Sequence, residues 1–376
     1  MSLRARIRAF LTGPLSSRVL EAMLIPRNSF KESGNDTMVS IASIAGKIRG
    51  SSGSIAALYQ AFGNSCRARG DLEGAVRARN ILLDTVELTP EQRAMTLLEL
   101  GRDYVGAGFL DRAKQAFEES ERYGADSKEI NLETARLAAQ TNDFSLASAA
   151  YGRLGNKPAE AHYLVRLGRE NATPDNPEPR IRGIRNALTI YPGSVEAWLE
   201  RLCLLYEQRS SDKLARTLPK AMYAVLPRLR FVLLEGLIQY AESDGVRRGK
   251  PLFDSACANA LGENLKGLTP DVLVAYYAGT ILLKAGQTEF GKTWLEKSLL
   301  LDSEFWPARL ELLKINASLQ ILSPEFQVQL DYFIRESVTV KRFVCRNCGL
   351  KREQIFFLCP RCRSWHSISV RKSLTG

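Results

Sequence analysis

Leu97 to Ser120 reads LLELGRDYVGAGFLDRAKQAFEES, and its spacing decides the fold. Leu97, Leu100, Gly101 and Tyr104 recur at helical intervals on one face, Gly108 breaks the helix, and Leu110, Ala113 and Phe117 form the apolar face of a second helix. The small residues Gly101 and Ala113 mark where two antiparallel helices come closest. An equivalent unit precedes this one, with Phe62, Gly63, Cys66, Gly70, Leu72 and Ala75 at the same offsets. Thr89-Pro90 is expected to close its second helix, because proline cannot continue one.

The alignment continues along the chain, with Ala135, Gly168, Leu202, Gly236 and Gly279 at the position of Gly63 and Gly101. The intervals are 38, 34, 33, 34, 34 and 43 residues. Most match the period of about 34 residues that defines tetratricopeptide repeats. Trp198 opens a later first helix, ALTIYP at 187–192 closes a second, and Gly286 and Leu295 complete the last unit. The unit around Gly236 is weak, and its extra length falls in DGVRRGKP, residues 244–251, read as a loop. The expected fold is all-α, a tetratricopeptide-repeat superhelix of about seven repeats over residues 54–338.

The composition is that of an ordinary folded soluble protein. The 376 residues are 45% hydrophobic and 25% charged, with a formal net charge of +11. Such a balance favours an acidic partner: nucleic acid, anionic lipid or an acidic protein segment. Of the seven cysteines, Cys66, Cys203 and Cys257 fall far apart inside helical patterns, which argues against a disulfide framework and for a reducing, cytoplasmic setting. No run reaches the roughly 18 apolar residues of a membrane-spanning helix. Residues 1–53 form a first segment. Arg4, Arg6 and Arg8 interleave with Ile7, Phe10 and Leu11 ahead of Gly13-Pro14, a short basic amphipathic piece suited to peripheral contact with an anionic membrane surface. Linker stretches rich in Ser, Gly and Asn follow it.

A repeat array of this kind leaves a groove lined by its first helices, fit for extended or helical peptides. Directly after the small first-helix residue, successive units carry Asn64, Arg102, Arg136 and Arg169. One helical step past a residue facing its partner helix points to the concave surface. There the arginines would meet carboxylates of an acidic client bidentately, or simply solvate the helix face.

The tail, KRFVCRNCGLKREQIFFLCPRCRSWHSISV at 341–370, carries the strongest local chemistry. Cys345-x-x-Cys348-Gly349 and Cys359-Pro360-x-Cys362 form two thiolate pairs, each on a turn able to cup a metal. Four thiolates close a tetrahedral site for one zinc or iron ion. Ile355 to Leu358 reads as a strand. His366 is close in sequence but surplus to four cysteines, and His162, inside a first helix, reads as packing. A unit of this size cannot fold by apolar burial alone, so the metal is structural first. Around it stand Lys341, Arg342, Arg346, Lys351, Arg352, Arg361, Arg363, Arg371 and Lys372 against the single acid Glu353. Only Trp365 offers a stacking platform for bases, so docking on the protein's own repeats or on a partner is expected in place of nucleic-acid binding.

Helical repeats ending in CxxCG and CPxCR knuckles resemble the lipopolysaccharide assembly protein B family. The stretches GNSCRARGDLEGAVRARNILLD, LTPEQRAMTLLELGRDYVGAGFLDRAKQAF and CRNCGLKREQIFFLCPRCRSW carry the resemblance. It implies repeats joined to a rubredoxin-like metal domain, here residues 339–376, with Cys345, Cys348, Cys359 and Cys362 as ligands. It further implies an adaptor at the cytoplasmic face of the inner membrane. There such a protein presents the lipid A pathway deacetylase to a membrane AAA protease. Members of that family begin with a transmembrane helix, where this sequence has the basic amphipathic segment.

Three function classes follow. A non-enzymatic interaction scaffold leads, since no phosphate-cradling loop, Ser-His-Asp set or open metal site is present in the sequence. Electron transfer by an iron-loaded knuckle is the second, and nucleic-acid binding through the basic tail the third.

Overall fold

The structure, a computed structural model, describes residues 52–243, 253–267, 271–319, 322–338 and 342–371, together with Val340. Most of the basic segment and linker at 1–53, the 244–251 loop, Lys341 and Lys372 lie outside the described residues. The chain divides at Ala150 and Tyr151 into two compact units.

The first unit holds α1 (Ser52–Ala68), α2 (Leu72–Thr85), α3 (Pro90–Gly106), α4 (Leu110–Arg122), α5 (Ser127–Gln140) and most of α6 (Phe144–Arg153). They pair as helical hairpins, α1 with α2 and α3 with α4. Gly70 and Gly108, at φ +79° and +78°, make the hairpin turns in a left-handed conformation that glycine adopts freely. A Cβ on Gly101 would lie 2.3 Å from the Phe117 ring, so the bare backbone is what lets α4 approach α3. Val76, Leu98, Tyr104, Phe117, Ile130 and Leu137 form the core.

Thr89-Pro90 opens α3 and does not close the helix before it. The Thr89 hydroxyl accepts from the Gln92 amide, the Gln92 side chain accepts from the Thr89 amide, and Pro90 occupies the first turn. Proline needs no hydrogen bond there and its φ is already helical, so the pair is a start signal.

Beside the core, the buried Arg79 is fully satisfied. Its Nε donates to Asp103 at 2.6 Å and its two terminal nitrogens donate to Gln60 and Asn64, each at 2.7 Å. Arg67 binds the other oxygen of Asp103 at 2.5 Å. A charged layer thus joins α1, α2 and α3.

The second unit contains α7 (Lys157–Glu170), α8 (Glu178–Ile190), α9 (Val195–Glu207), α10 (Ser211–Ala224), α11 (Arg230–Ser243), α12 (Ser255–Lys266), α13 (Val272–Lys284), α14 (Thr288–Leu301), α15 (Trp306–Leu319) and α16 (Pro324–Val338). Glycine again sets the closest crossings. A Cβ on Gly168 would stand 2.8 Å from the Pro179 carbonyl, and one on Gly279 would stand 2.9 Å from that of Gly291. The seven positions aligned in the sequence all fall on first helices and all are buried. The fold is all-α and of tetratricopeptide type, and the only strands among the described residues are in the tail.

That tail is a three-stranded antiparallel sheet of β1 (Phe343–Cys345), β2 (Lys351–Arg352) and β3 (Ile368–Val370), ordered β2-β1-β3. Phe343 faces Arg352 on one side and Val370 on the other. Ile355 to Leu358 is not a strand. Leu358 makes one isolated bridge to Trp365, and the residues before it turn their side chains onto the repeats. Their apolar character serves docking, which local sequence cannot distinguish from strand propensity.

Candidate metal centre and its seat on the repeats

Two matching turns present the cysteines. Gly349 donates its amide to the Cys345 carbonyl and Arg363 donates to that of Cys359, each at 2.9 Å, with both donors in the left-handed region. The turns bring all four sulfurs within 4.8 Å of one another. Cys345 Sγ lies 3.6 Å from Cys362 Sγ, and Cys348 Sγ lies 3.6 Å from Cys359 Sγ. A disulfide requires about 2.05 Å. The edge of a tetrahedron with metal–sulfur bonds of about 2.3 Å is roughly 3.8 Å, so the donor set fits a metal ion.

The surroundings favour thiolates at two corners. Burial opposes ionisation of Cys345, but the Ser367 hydroxyl and the Cys348 and Asn347 amides outweigh it and bring the thiol down to about 6. The Ser364 hydroxyl and amide likewise lower Cys362. At Cys348 the Leu350 amide favours the thiolate, yet burial and the neighbouring sulfurs push it up to about 12. Sulfurs this close resist ionising together, and a cation among them removes that penalty.

The centre shares one core with the repeats of the second unit. Phe343 stacks on Phe231 of α11 with ring centroids 6.2 Å apart, and Cys345, Phe356, Cys359 and Ile368 are buried in the same cluster as α9, α11 and α13. A Cβ on Gly236 would stand 2.5 Å from Leu199 and 3.0 Å from Ile355, so this glycine makes room for the tail. Trp306 Nε1 donates to the Arg371 carbonyl at 3.2 Å, and Arg342 Nη2 donates to Glu235 Oε1 at 2.8 Å.

Both histidines pack between the repeats and the tail. His366 is buried, and its Nε2 lies 2.9 Å from Glu196 Oε1. His162 packs as expected: its Nδ1 stands 3.5 Å from the same oxygen, and its ring meets Trp365 edge-on at 5.1 Å. Trp365 also meets Tyr151 and Tyr163 edge-on, so it is a docking side chain.

Asn64 is spent inside the protein, its Oδ1 accepting from Arg79. Arg102 binds Glu99 at 2.5 Å and Glu133 at 3.0 Å, and Arg136 binds Glu133 at 3.1 Å. Arg169 is paired with Glu200, which Arg180 also holds at 2.6 Å. Each arginine therefore faces a carboxylate of its own chain.

Sequence reasoning missed Glu196 and Glu235. Glu235 had a signal, being the lone charge within FVLLEGLI. Glu196 had none, because an acid in the first turn of a helix is ordinary.

No protein-family model matches the chain. Its sequence is similar to lipopolysaccharide assembly protein B of Escherichia coli K12, with 22% identity over 323 residues, 84% of this chain and 81% of that one. The protein of the same name from Escherichia coli O157:H7 aligns with the same identity and coverage. Among solved structures, a tetratricopeptide repeat protein from Parabacteroides merdae is 16% identical and covers 66% of this chain and 93% of its own, at a TM-score of 0.36. MamA is 23% identical over 43% of this chain and 93% of its own, at 0.30. Among the described residues no helix is long and apolar enough to cross a membrane.

Proposed function

We propose that this chain, a distant relative of lipopolysaccharide assembly protein B, is a non-catalytic adaptor of lipopolysaccharide assembly that binds protein clients. One observation carries the reading, the similarity over 84% of the chain, and the cysteine centre, built into the core of the second unit's repeats, agrees with it. The second unit's repeats and the centre thus act as one binding body, with the metal serving to hold its shape. The finer reading is that the client is the deacetylase committing precursor to lipid A, presented to a membrane AAA protease.

Arg102, Arg136 and Arg169 serve as client contacts in this reading. Arg136 and Arg169 keep 47% and 58% of their side chains in solvent, so a client carboxylate can compete with Glu133 and Glu200 for them.

The test is the half-life of that deacetylase in the native host with and without this gene, together with co-purification on the full chain. A longer half-life in the deletion strain, restored by the wild-type chain and not by Arg136→Glu/Arg169→Glu, is expected. An unchanged half-life with no co-purification overturns the client. Full restoration by the arginine variant removes only the groove contacts.

A further inference from the structure

Arg102, Arg136, Arg169 and Arg180 of the repeats each meet a carboxylate of their own chain. Those of the metal knuckles do not. Arg346, Arg361 and Arg363 are exposed, and none of them makes an ion pair among the described residues. One rim holds all three. Arg346 adjoins Cys345, and Arg361 and Arg363 flank Cys362, whose sulfur lies 3.6 Å from that of Cys345. Across the same two turns Asn347 Nδ2 donates to Ser364 Oγ at 2.6 Å. Arg363 stands at φ +56° where the first knuckle has Gly349 at +70°. Glycine would adopt this conformation without strain, and the chain places a free cation there instead.

From Phe343 to Arg371 the tail has six bases and one acid, Glu353. A divalent ion with four thiolates carries two negative charges, so the surroundings of the centre stay net positive. The apolar side chains of the tail point elsewhere. Phe343, Phe356 and Ile368 are buried in the core shared with the repeats, and Trp365 packs on Tyr151 and Tyr163. No large exposed hydrophobic side chain belongs to the described tail. Protein interfaces have an apolar centre, and single-stranded nucleic acid is gripped by stacking. A rim of free cations with neither matches a surface recognised by charge alone, the head groups of an anionic bilayer. The first residues of the chain favour lipid over a nucleic-acid duplex, because Ile7, Phe10 and Leu11 among Arg4, Arg6 and Arg8 are apolar side chains that a bilayer takes up.

We infer that Arg346, Arg361 and Arg363 form a docking rim that sets the metal centre against an anionic membrane surface. The contact is electrostatic and inserts no side chain, so it is weak by itself and reversed by salt. Stable attachment takes two such signals, and the basic amphipathic stretch at residues 4–11 is suited to be the other. By joining the two turns, a bound ion also gathers the three cations.

The experiment is flotation of the full metal-loaded chain with vesicles of phosphatidylcholine alone or with about one third phosphatidylglycerol, at about 0.1 M salt. Binding to the charged vesicles only is expected, and its loss at about 0.5 M salt. Each arginine near such a surface contributes about fivefold, so Arg346→Gln/Arg361→Gln/Arg363→Gln should bind roughly a hundredfold more weakly with its metal content intact. If the triple variant fails to hold metal, Arg346→Gln/Arg361→Gln serves, with a loss of about twentyfold expected. Both variants keep the amino-terminal stretch, so the difference belongs to the tail. A wild-type chain that ignores charged vesicles overturns the rim, as does a metal-loaded variant that binds within about twofold of wild type. Preference for duplex DNA when it competes with the charged vesicles overturns it too.

Discussion

Arg342 and Glu235 meet at 2.8 Å across 107 positions of sequence, joining the entrance of the tail sheet to the middle of α11. Glu235 is almost wholly buried while Arg342 keeps a third of its side chain in solvent. Burial disfavours the charged guanidinium, but Glu235 and the phenols of Tyr277 and Tyr276 outweigh it and raise Arg342. Arg342→Ala would leave the buried carboxylate without this counter-charge, although Gln239 Nε2 still donates to it at 2.6 Å, and a loss of about 1–3 kcal/mol is expected in urea unfolding. Adding Glu235→Gln should recover part of it. A single variant that unfolds at the wild-type midpoint would show that the pair contributes nothing.

Cys345→Ser/Cys348→Ser should lose the metal and destabilise the second unit as a whole, since Phe343 and Cys345 are buried in the same core as α11 and α13. The first unit has its own core and should keep its helical dichroism. Chelation of the wild-type chain should act alike, removing about 4 kcal/mol where the free ion stood at a thousand times its Kd. Metal analysis and calorimetry check both, and a double variant with full metal content rejects the four-sulfur site.

Acid stability follows from Glu196. Burial pushes its carboxyl up, but His162 and His366 outweigh that and hold it at about 2. A lowered carboxyl stabilises the folded state above its unfolded value, and that contribution is lost as pH falls from about 4.5 to about 2. The wild-type chain should therefore lose more stability than Glu196→Gln over this range. Parallel stability curves for the two would contradict the assignment.

Gly168 and Gly262 make a paired test of backbone approach. A Cβ at Gly168 would press on the Pro179 carbonyl and on Gly183 Cα, at 2.8 and 3.0 Å, and neither can move without parting α7 from α8. Gly168→Ala should cost about 1–3 kcal/mol. At Gly262 in α12 the nearest atoms are 3.9 Å away, an ordinary contact. Gly262→Ala should stabilise by about 0.5–1 kcal/mol through helix propensity. Thermal midpoints shifting in the same direction for both would refute the contrast.

The repeat phase, the hairpin glycines and the four cysteines were legible in the sequence because each is a local relation. A helix repeats every 3.6 residues, a turn needs a residue tolerant of positive φ, and paired thiolates two apart can share an ion whatever lies beyond them. Thr89-Pro90 was misread because proline marks a helix start and a helix end alike, and only the capping geometry separates the two. What the tertiary structure alone decided is where the tail sits and what that does to charge. His366 and Glu196 are 170 residues apart, and nothing near either one foretells the other. Arg102, Arg136 and Arg169 each follow the small residue of a first helix, but the carboxylates that meet them arrive from a neighbouring turn or helix. A side chain's period in the sequence reports which face it is on, whereas its partner and its protonation depend on what the chain folds against that face.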